Sequence, residues 1–198
     1  MRIKKNILFE EQSDDALPAP PVKPEIIEIR ILQSMAKVEL RPQRVSDAKR
    51  FYQIIKNPNF EFMYIPCDSI KDEIKFLKQN ASRRRRNFAY NYTILCDGEI
   101  VGGCGIKINQ HRTFNGEISY FIDQAYWGKG ITTQAVKKLE EIGFDELGLN
   151  RIEIIMNVRH KASEKVAIKC GYKKEGVMRK AIKTGKSYYD AFLYAKVK

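Results

Sequence analysis

From Val38 onward the hydrophobic pattern switches between two periods. Residues 38–41 alternate apolar and polar side chains and stop at Pro42, which reads as a short strand. Ala48, Phe51, Tyr52 and Ile55 then recur at helical spacing and predict a helix over 47–56, with Ser46 as its N-cap. A second helix opens at Asp68 or Ser69 and carries Ile70, Ile74, Phe76 and Leu77. Asp97 and Gly98 tolerate positive φ and lie between strand-like runs at 88–96 and 99–108, the pattern of a hairpin. Another strand is expected over 116–122. The run 131–148 reads as a helix with Ala135, Val136, Leu139, Ile142 and Phe144 turned inward, and 152–156 as a buried strand. A short helix over 162–170 is stopped by Gly171. Runs 172–181 and 188–197 complete the sheet as antiparallel neighbours around Thr184 and Gly185. The order β-α-α-β-β-β-α-β-α-β-β predicts an α/β (α+β) fold, a mixed sheet with helices on both faces.

Ahead of Val38 the composition changes. Four of the seven prolines fall within 18–24, where fixed φ and missing N–H groups forbid helix and disfavour a central strand. Residues 1–37 read as an N-terminal extension: a polar tail, a Pro-rich linker, and a short helix or strand over 25–37. The remaining 38–198 read as one domain, in keeping with a length of 198 residues. Residues 1–37 carry six basic and six acidic side chains, so the net charge of +12 sits wholly in 38–198. Such a domain attracts polyanions (nucleic acid, phosphorylated cofactors, a ribosome-like surface) and repels polycationic small molecules. No apolar run approaches the roughly 18 residues of a membrane span, and the start of the chain lacks a secretory pattern. A cytoplasmic protein without membrane contact is expected. Cys67, Cys96, Cys104 and Cys170 form no C-x-x-C pair and read as reduced thiols. His111 and His160 are too few and too separated for a metal site.

The chemistry concentrates in 118–136, ISYFIDQAYWGKGITTQAV. A strand runs into a loop holding Gly128 and Gly130, and the loop opens a helix at once. That arrangement aims backbone N–H groups and a helix N-terminus at one point and lets the main chain approach a ligand closely, as a pyrophosphate site requires. The loop lacks the G-x-x-x-x-G-K-[ST] pattern of nucleotide hydrolysis and has too few glycines for the dinucleotide fingerprint.

YWGKGITTQAV, followed by HKASEKVAIKCGYKKEGVMRKA and YYDAFLYA, resembles the GNAT superfamily of acetyl-CoA-dependent N-acetyltransferases, nearest to the RimJ/RimL-like branch that acetylates ribosomal protein N-termini. The opening VELRPQRVSDAKRFYQII resembles that branch's first strand and helix. The resemblance covers about 38–198 and implies a mostly antiparallel GNAT sheet, acetyl-CoA as the acetyl donor, no metal, and direct transfer to a primary amine. It places the family's loop motif, Arg/Gln-x-x-Gly-x-Gly/Ala, on Trp127, Gly128, Lys129, Gly130, Ile131 and Thr132, with Trp127 and Thr132 as departures. Phe121 and Ile122 are implied to pair through their main chain with the pantetheine arm. His160 stands where the family often has Asn, and Ser163 matches the family's serine at the start of the next helix.

The reaction needs a base, because an amine is nucleophilic only when neutral. Glu117 is the candidate, one strand upstream of the loop, where the family carries an acidic residue. A solvated strand glutamate is the plainer reading. A free N–H near residues 120–122 is the natural oxyanion donor. Ser163 is the candidate acid for the departing thiolate, or a helix cap. The family's frequent tyrosine four residues later is here Ala167. The run of arginines at 83–86 reads either as a contact for RNA or an acidic protein face or as a solvated helix end. Lys173, Lys174, Arg179, Lys180, Lys183 and Lys186 form a second basic region. The acceptor is a protein N-terminus or a small-molecule amine, with residues 57–69 and the last hairpin setting the choice; an RNA- or ribosome-binding module is the alternative. A monomer or a homodimer fits equally.

Overall fold

The computed structural model describes residues 36–60, 62 and 67–198. The expectations for the tail, the Pro-rich linker and the segment up to residue 35 lie outside them. Among these residues seven strands form one sheet: β1 (Val38–Pro42), β2 (Ala89–Cys96), β3 (Glu99–Ile108), β4 (Asn115–Ile122), β5 (Arg151–Asn157), β6 (Lys173–Thr184) and β7 (Ser187–Val197). Their spatial order is β1-β2-β3-β4-β5-β7-β6, and every neighbouring pair is antiparallel except β4 with β5. The helices are α1 (Ala48–Ile55), α2 (Ile70–Lys78), α3 (Asn80–Arg85), α4 (Ile131–Glu141) and α5 (Lys161–Lys169).

Strand pleating explains how two helical layers arise. Ile118 and Ile122 on β4 pack on one face with Ile131, Ala135, Val136 and Leu139 of α4. Phe121, of opposite parity, packs with Phe51 of α1 and Leu77 of α2, its ring edge-on to Phe51 at 5.2 Å. Helices therefore cover both faces. The β2–β3 turn uses Asp97 and Gly98 at φ +50° and +85°, as the sequence predicts. Ser69 caps α2 through a reciprocal box with Asp72.

Four local readings differ. Pro42 lies inside β1, which is tolerable because β1 is an edge strand among the described residues. Ser46 caps nothing: a 3-10 turn at Val45–Asp47 precedes α1, and Asp47 accepts from the Arg44 N–H. α4 ends at Glu141 and passes through a π-type turn at Ile142–Glu146 before Gly148 at φ +65°, so one long helix is not formed. α3 has no buried residue and so gives no apolar period to read. It does divide the arginine run. Arg83 hydrogen-bonds Phe76 O, Asn80 Oδ1 and Gln79 Oε1 and lies 4.1 Å over the Phe76 ring. Arg84 lies over Tyr90 and Tyr92, while Arg85 and Arg86 face solvent.

Asp47 fixes the start of α1 against the sheet. Its carboxylate is 1% exposed and takes both Arg41 Nη atoms at 2.7 and 2.8 Å, Thr93 Oγ1 at 2.6 Å and the Arg44 N–H at 2.9 Å. Burial alone pushes this carboxyl up, but the bonds from Arg41, Thr93 and Arg44 outweigh it and hold it below the usual range. Its stabilisation is thus complete above the unfolded value near 3.9 and is lost as pH falls through the lower folded value. Asp47→Asn is expected to cost about 3 kcal/mol at pH 7 and to flatten the acid side of the stability profile, read by urea unfolding over a pH series.

Candidate active site

β4 and β5 pair in parallel only where Asn115–Glu117 faces Arg151–Glu153; beyond that point the two strands are not paired. Main-chain direction along β4 alternates. Asn115 O accepts from Asn109 and Asp123 N donates to Val101, both on the β3 side, so residues of odd number turn their peptide groups toward β3. Tyr120 and Ile122 consequently turn theirs to the open edge. Phe121 departs from expectation: its peptide groups belong to the β3 ladder, and its side chain reaches the α1 layer instead. The Ile122 carbonyl accepts from the Trp127 indole Nε1 at 2.9 Å; its N–H and both Tyr120 main-chain groups have no strand partner among the described residues and can pair with a ligand strand.

A groove of about 860 Å³ runs from this edge to the start of α4 and α5. Nine of the eleven expected site residues line it: Phe121, Ile122, Trp127, Gly128, Gly130, Ile131, Thr132, His160 and Ser163. Gly128 and Gly130 have φ +76° and +75°, and a Cβ on either would meet no protein atom within 4 Å. Gly130 is the N-cap of α4 and brings no side chain to its first-turn amides, which suits close approach of a diphosphate. Ile131 sends its side chain into the core, 1% exposed, and offers the groove its main chain. Trp127 bolts the loop to the end of β4 through its indole and meets Phe60 at 6.1 Å. Lys161, Lys165 and Lys169 of α5 add positive charge along the wall. These residues fit coenzyme A, whose diphosphate matches the glycine loop and whose extended arm matches the open edge of β4. Lys129 stands outside the lining, 4.9 Å over the Tyr126 ring.

Ser163 is the third residue of α5, and His160 holds the N-cap position, so Ser163 does not cap. It is 6% exposed, and its Oγ lies 2.8 Å from the hydroxyl of Tyr120. Tyr120's hydroxyl is the partner that sequence reasoning missed. Alternation does place Tyr120 on the same face as Ile118 and Ile122, but nothing in sequence spacing joins it to a helix 43 residues on. His160 stacks on Phe62 at 5.0 Å, and burial lowers its pKa, keeping the ring neutral at pH 7. Arg159 lies over both Phe62 and Tyr189, at 5.6 and 5.7 Å, which brings the α1–α2 loop and the last hairpin to one place. Asn57 and Asn59 both donate to Gln124 Oε1 and tie that loop to the segment before the glycines.

Glu117 is placed apart from the groove. It lies at the last paired position of β4 with β5, on the face opposite Tyr120, and lines a second cavity of about 310 Å³ with Lys107, Asn109, Asn115 and Glu153. Burial pushes its carboxyl above the ordinary value; Lys107 opposes the shift and Glu153 adds to it. The four cysteines are buried and free. Burial, with smaller acidic contributions, lifts Cys67 and Cys170 to about 11, and burial lifts Cys104 further, so these thiols stay protonated and serve packing. Among the described residues no cluster of three or more His, Cys, Asp or Glu could hold a metal, and no helix is long and apolar enough to cross a membrane.

A strand edge left open beside a glycine loop at a helix start is the architecture of an acyl-CoA transferase. Residues 37–173 match the Acetyltransferase (GNAT) domain family. The chain is 30% identical over 162 residues to the probable N-acetyltransferase YjcK of Bacillus subtilis, covering 77% of this chain and 90% of that protein. It is 26% identical to the ribosomal-protein-serine acetyltransferase of Escherichia coli, over 85% of this chain and 96% of that one. The solved microcin C7 self-immunity acetyltransferase MccE, in complex with acetyl-CoA and AMP, superposes with a TM-score of 0.74 at 26% identity, over 82% of this chain and 93% of that chain. The protein belongs to the GNAT acetyltransferase family and is an acetyl-CoA-dependent N-acetyltransferase.

Proposed function

We propose that this enzyme acetylates the N-terminal α-amine of a protein, with Glu117 as base and Ser163 as the group that serves the departing sulfur. The charge of the domain carries the acceptor assignment: an excess of twelve positive charges over 38–198 disfavours polyamines and amino sugars and favours a neutral or acidic polypeptide end. The meeting of the α1–α2 loop and the last hairpin at Arg159 supports an acceptor held between two segments. Similarity to a ribosomal-protein-serine acetyltransferase points the same way.

In this reading the acceptor approaches the open edge from the face bearing Phe121 and Glu117. Glu117, with its raised pKa, removes the proton from the amine, directly or through a water. The Tyr120 N–H, directed at the same edge, holds the oxygen that gains charge. Ser163 donates to the sulfur from the opposite wall. No acyl-enzyme is needed, in keeping with thiols that stay protonated.

The test is a panel of acceptors assayed for coenzyme A release: peptides with free α-amines, the same peptides N-terminally blocked but carrying lysine, polyamines and amino sugars. The α-amine peptides are expected to give the highest kcat/KM, with acidic ones ahead of basic ones at low salt. Turnover of polyamines or amino sugars alone would refute the acceptor assignment.

A further inference from the structure

We infer that Tyr120 is a positioning residue for Ser163: its phenolic O–H donates to Ser163 Oγ and turns the serine's own proton toward the thioester sulfur. The inference rests on the reading of Ser163 as the group serving the leaving sulfur and adds a residue to it.

The two hydroxyls come from facing walls of the groove, β4 and α5, and meet at 2.8 Å. A pair of hydroxyls holds two protons, one used between the oxygens and one directed elsewhere. A phenol is the stronger donor and an alkyl hydroxyl the better acceptor, so the proton left over is the serine's. Ser163 is buried within the first turn of α5, so the pair meets inside the protein rather than in water. One turn further on, Ala167 is fully buried and offers no polar group.

Burial pushes the Tyr120 phenol up to about 12, with the Ser163 contact opposing and Cys170 adding. A thiol near 8.5 is therefore a stronger acid by about three powers of ten, and Tyr120 keeps its proton while the sulfur departs. The step balances without it. The amine nitrogen bonds the acetyl carbon and gives a proton to Glu117; the carbon–sulfur bond breaks with its electron pair on sulfur. Ser163 Oγ–H hydrogen-bonds that sulfur, and the proton on Glu117 returns to the thiolate through solvent. Tyr120 and Ser163 end as they began.

The experiment compares kcat, KM for acetyl-CoA and the rate–pH profile for Ser163→Ala, Tyr120→Phe and the double variant, with coenzyme A calorimetry reporting that each folds. Loss of one oriented hydrogen bond is expected to lower kcat of Tyr120→Phe roughly tenfold, with KM unchanged. The double variant is expected to be no slower than Ser163→Ala alone, because Tyr120 acts through Ser163. Losses that multiply, or wild-type activity in Tyr120→Phe beside a slow Ser163→Ala, would overturn the inference while leaving the Ser163 reading intact. A fully active Ser163→Ala would remove that reading and this inference together. Should Tyr120→Phe fail to bind coenzyme A, 3-fluorotyrosine at position 120 keeps the shape and lowers the phenol pKa. A pH limb that follows the fluorinated ring would make Tyr120 the proton donor itself and overturn its positioning role; an unmoved profile supports it.

Discussion

Glu117→Gln is expected to lower kcat about a hundredfold and to leave coenzyme A affinity within about twofold, the size usual for loss of a general base. The groove and the carboxylate are separate: Glu117 lines the smaller cavity, and the glycine loop lines the larger one. The pH dependence gives a sharper signature. Burial raises the Glu117 pKa, so with Glu117 as the base kcat/KM of the wild type is expected to fall on acidification through a value above that of ordinary glutamate. Glutamine has no proton to lose, and the acid limb is expected to vanish with it. Steady-state rates across pH 5–9 read both effects. Full activity of Glu117→Gln over that range would transfer the base role to water or to another group.

Gly130→Val is expected to weaken coenzyme A binding about thirtyfold or more. Two costs combine. Gly130 stands at φ +75°, a region costing an L residue about 1–2 kcal/mol, and a β-branched side chain fits it worst. The new side chain would also project into open space from the main chain expected to meet the diphosphate, so the damage is expected to fall on the ligand. Gly185→Val is the control: the β6–β7 turn has φ +59°, similar strain and open space, but lies outside the groove lining. Both variants are expected to melt a few degrees lower. Calorimetric titration with coenzyme A is expected to separate them, and equal affinity of Gly130→Val and wild type would place the diphosphate elsewhere.

Much of the architecture was legible because it is written in local patterns. Strand alternation at 116–122, the Asp97-Gly98 turn and the stop at Gly171 depend on near neighbours, and each stands where the spacing predicts. The misreadings share one cause. Ser46 has the right chemistry for a cap, yet the neighbouring Asp47 is claimed by Arg41 and Thr93 from other elements, and their bonds set how α1 begins. Glycine at 143 packs against Ile152 and Ile106, a contact that accompanies the π-type turn ending α4. The arginine run at 83–86 looks uniform in one dimension, but two of its members are spent on aromatic rings.

Periodicity and residue types at fixed offsets were enough to read seven strands, four of the five helices, the glycine loop and the family resemblance from the chain alone. Packing of the layers set which β4 peptide groups face the groove, that Tyr120 meets Ser163, and that Glu117 sits in a cavity apart from both. Those outcomes depend on strand register, on the parting of β4 from β5 after Glu117, and on where α5 lands against the sheet. Contacts between residues tens of positions apart arise when the layers pack, and no local pattern encodes them.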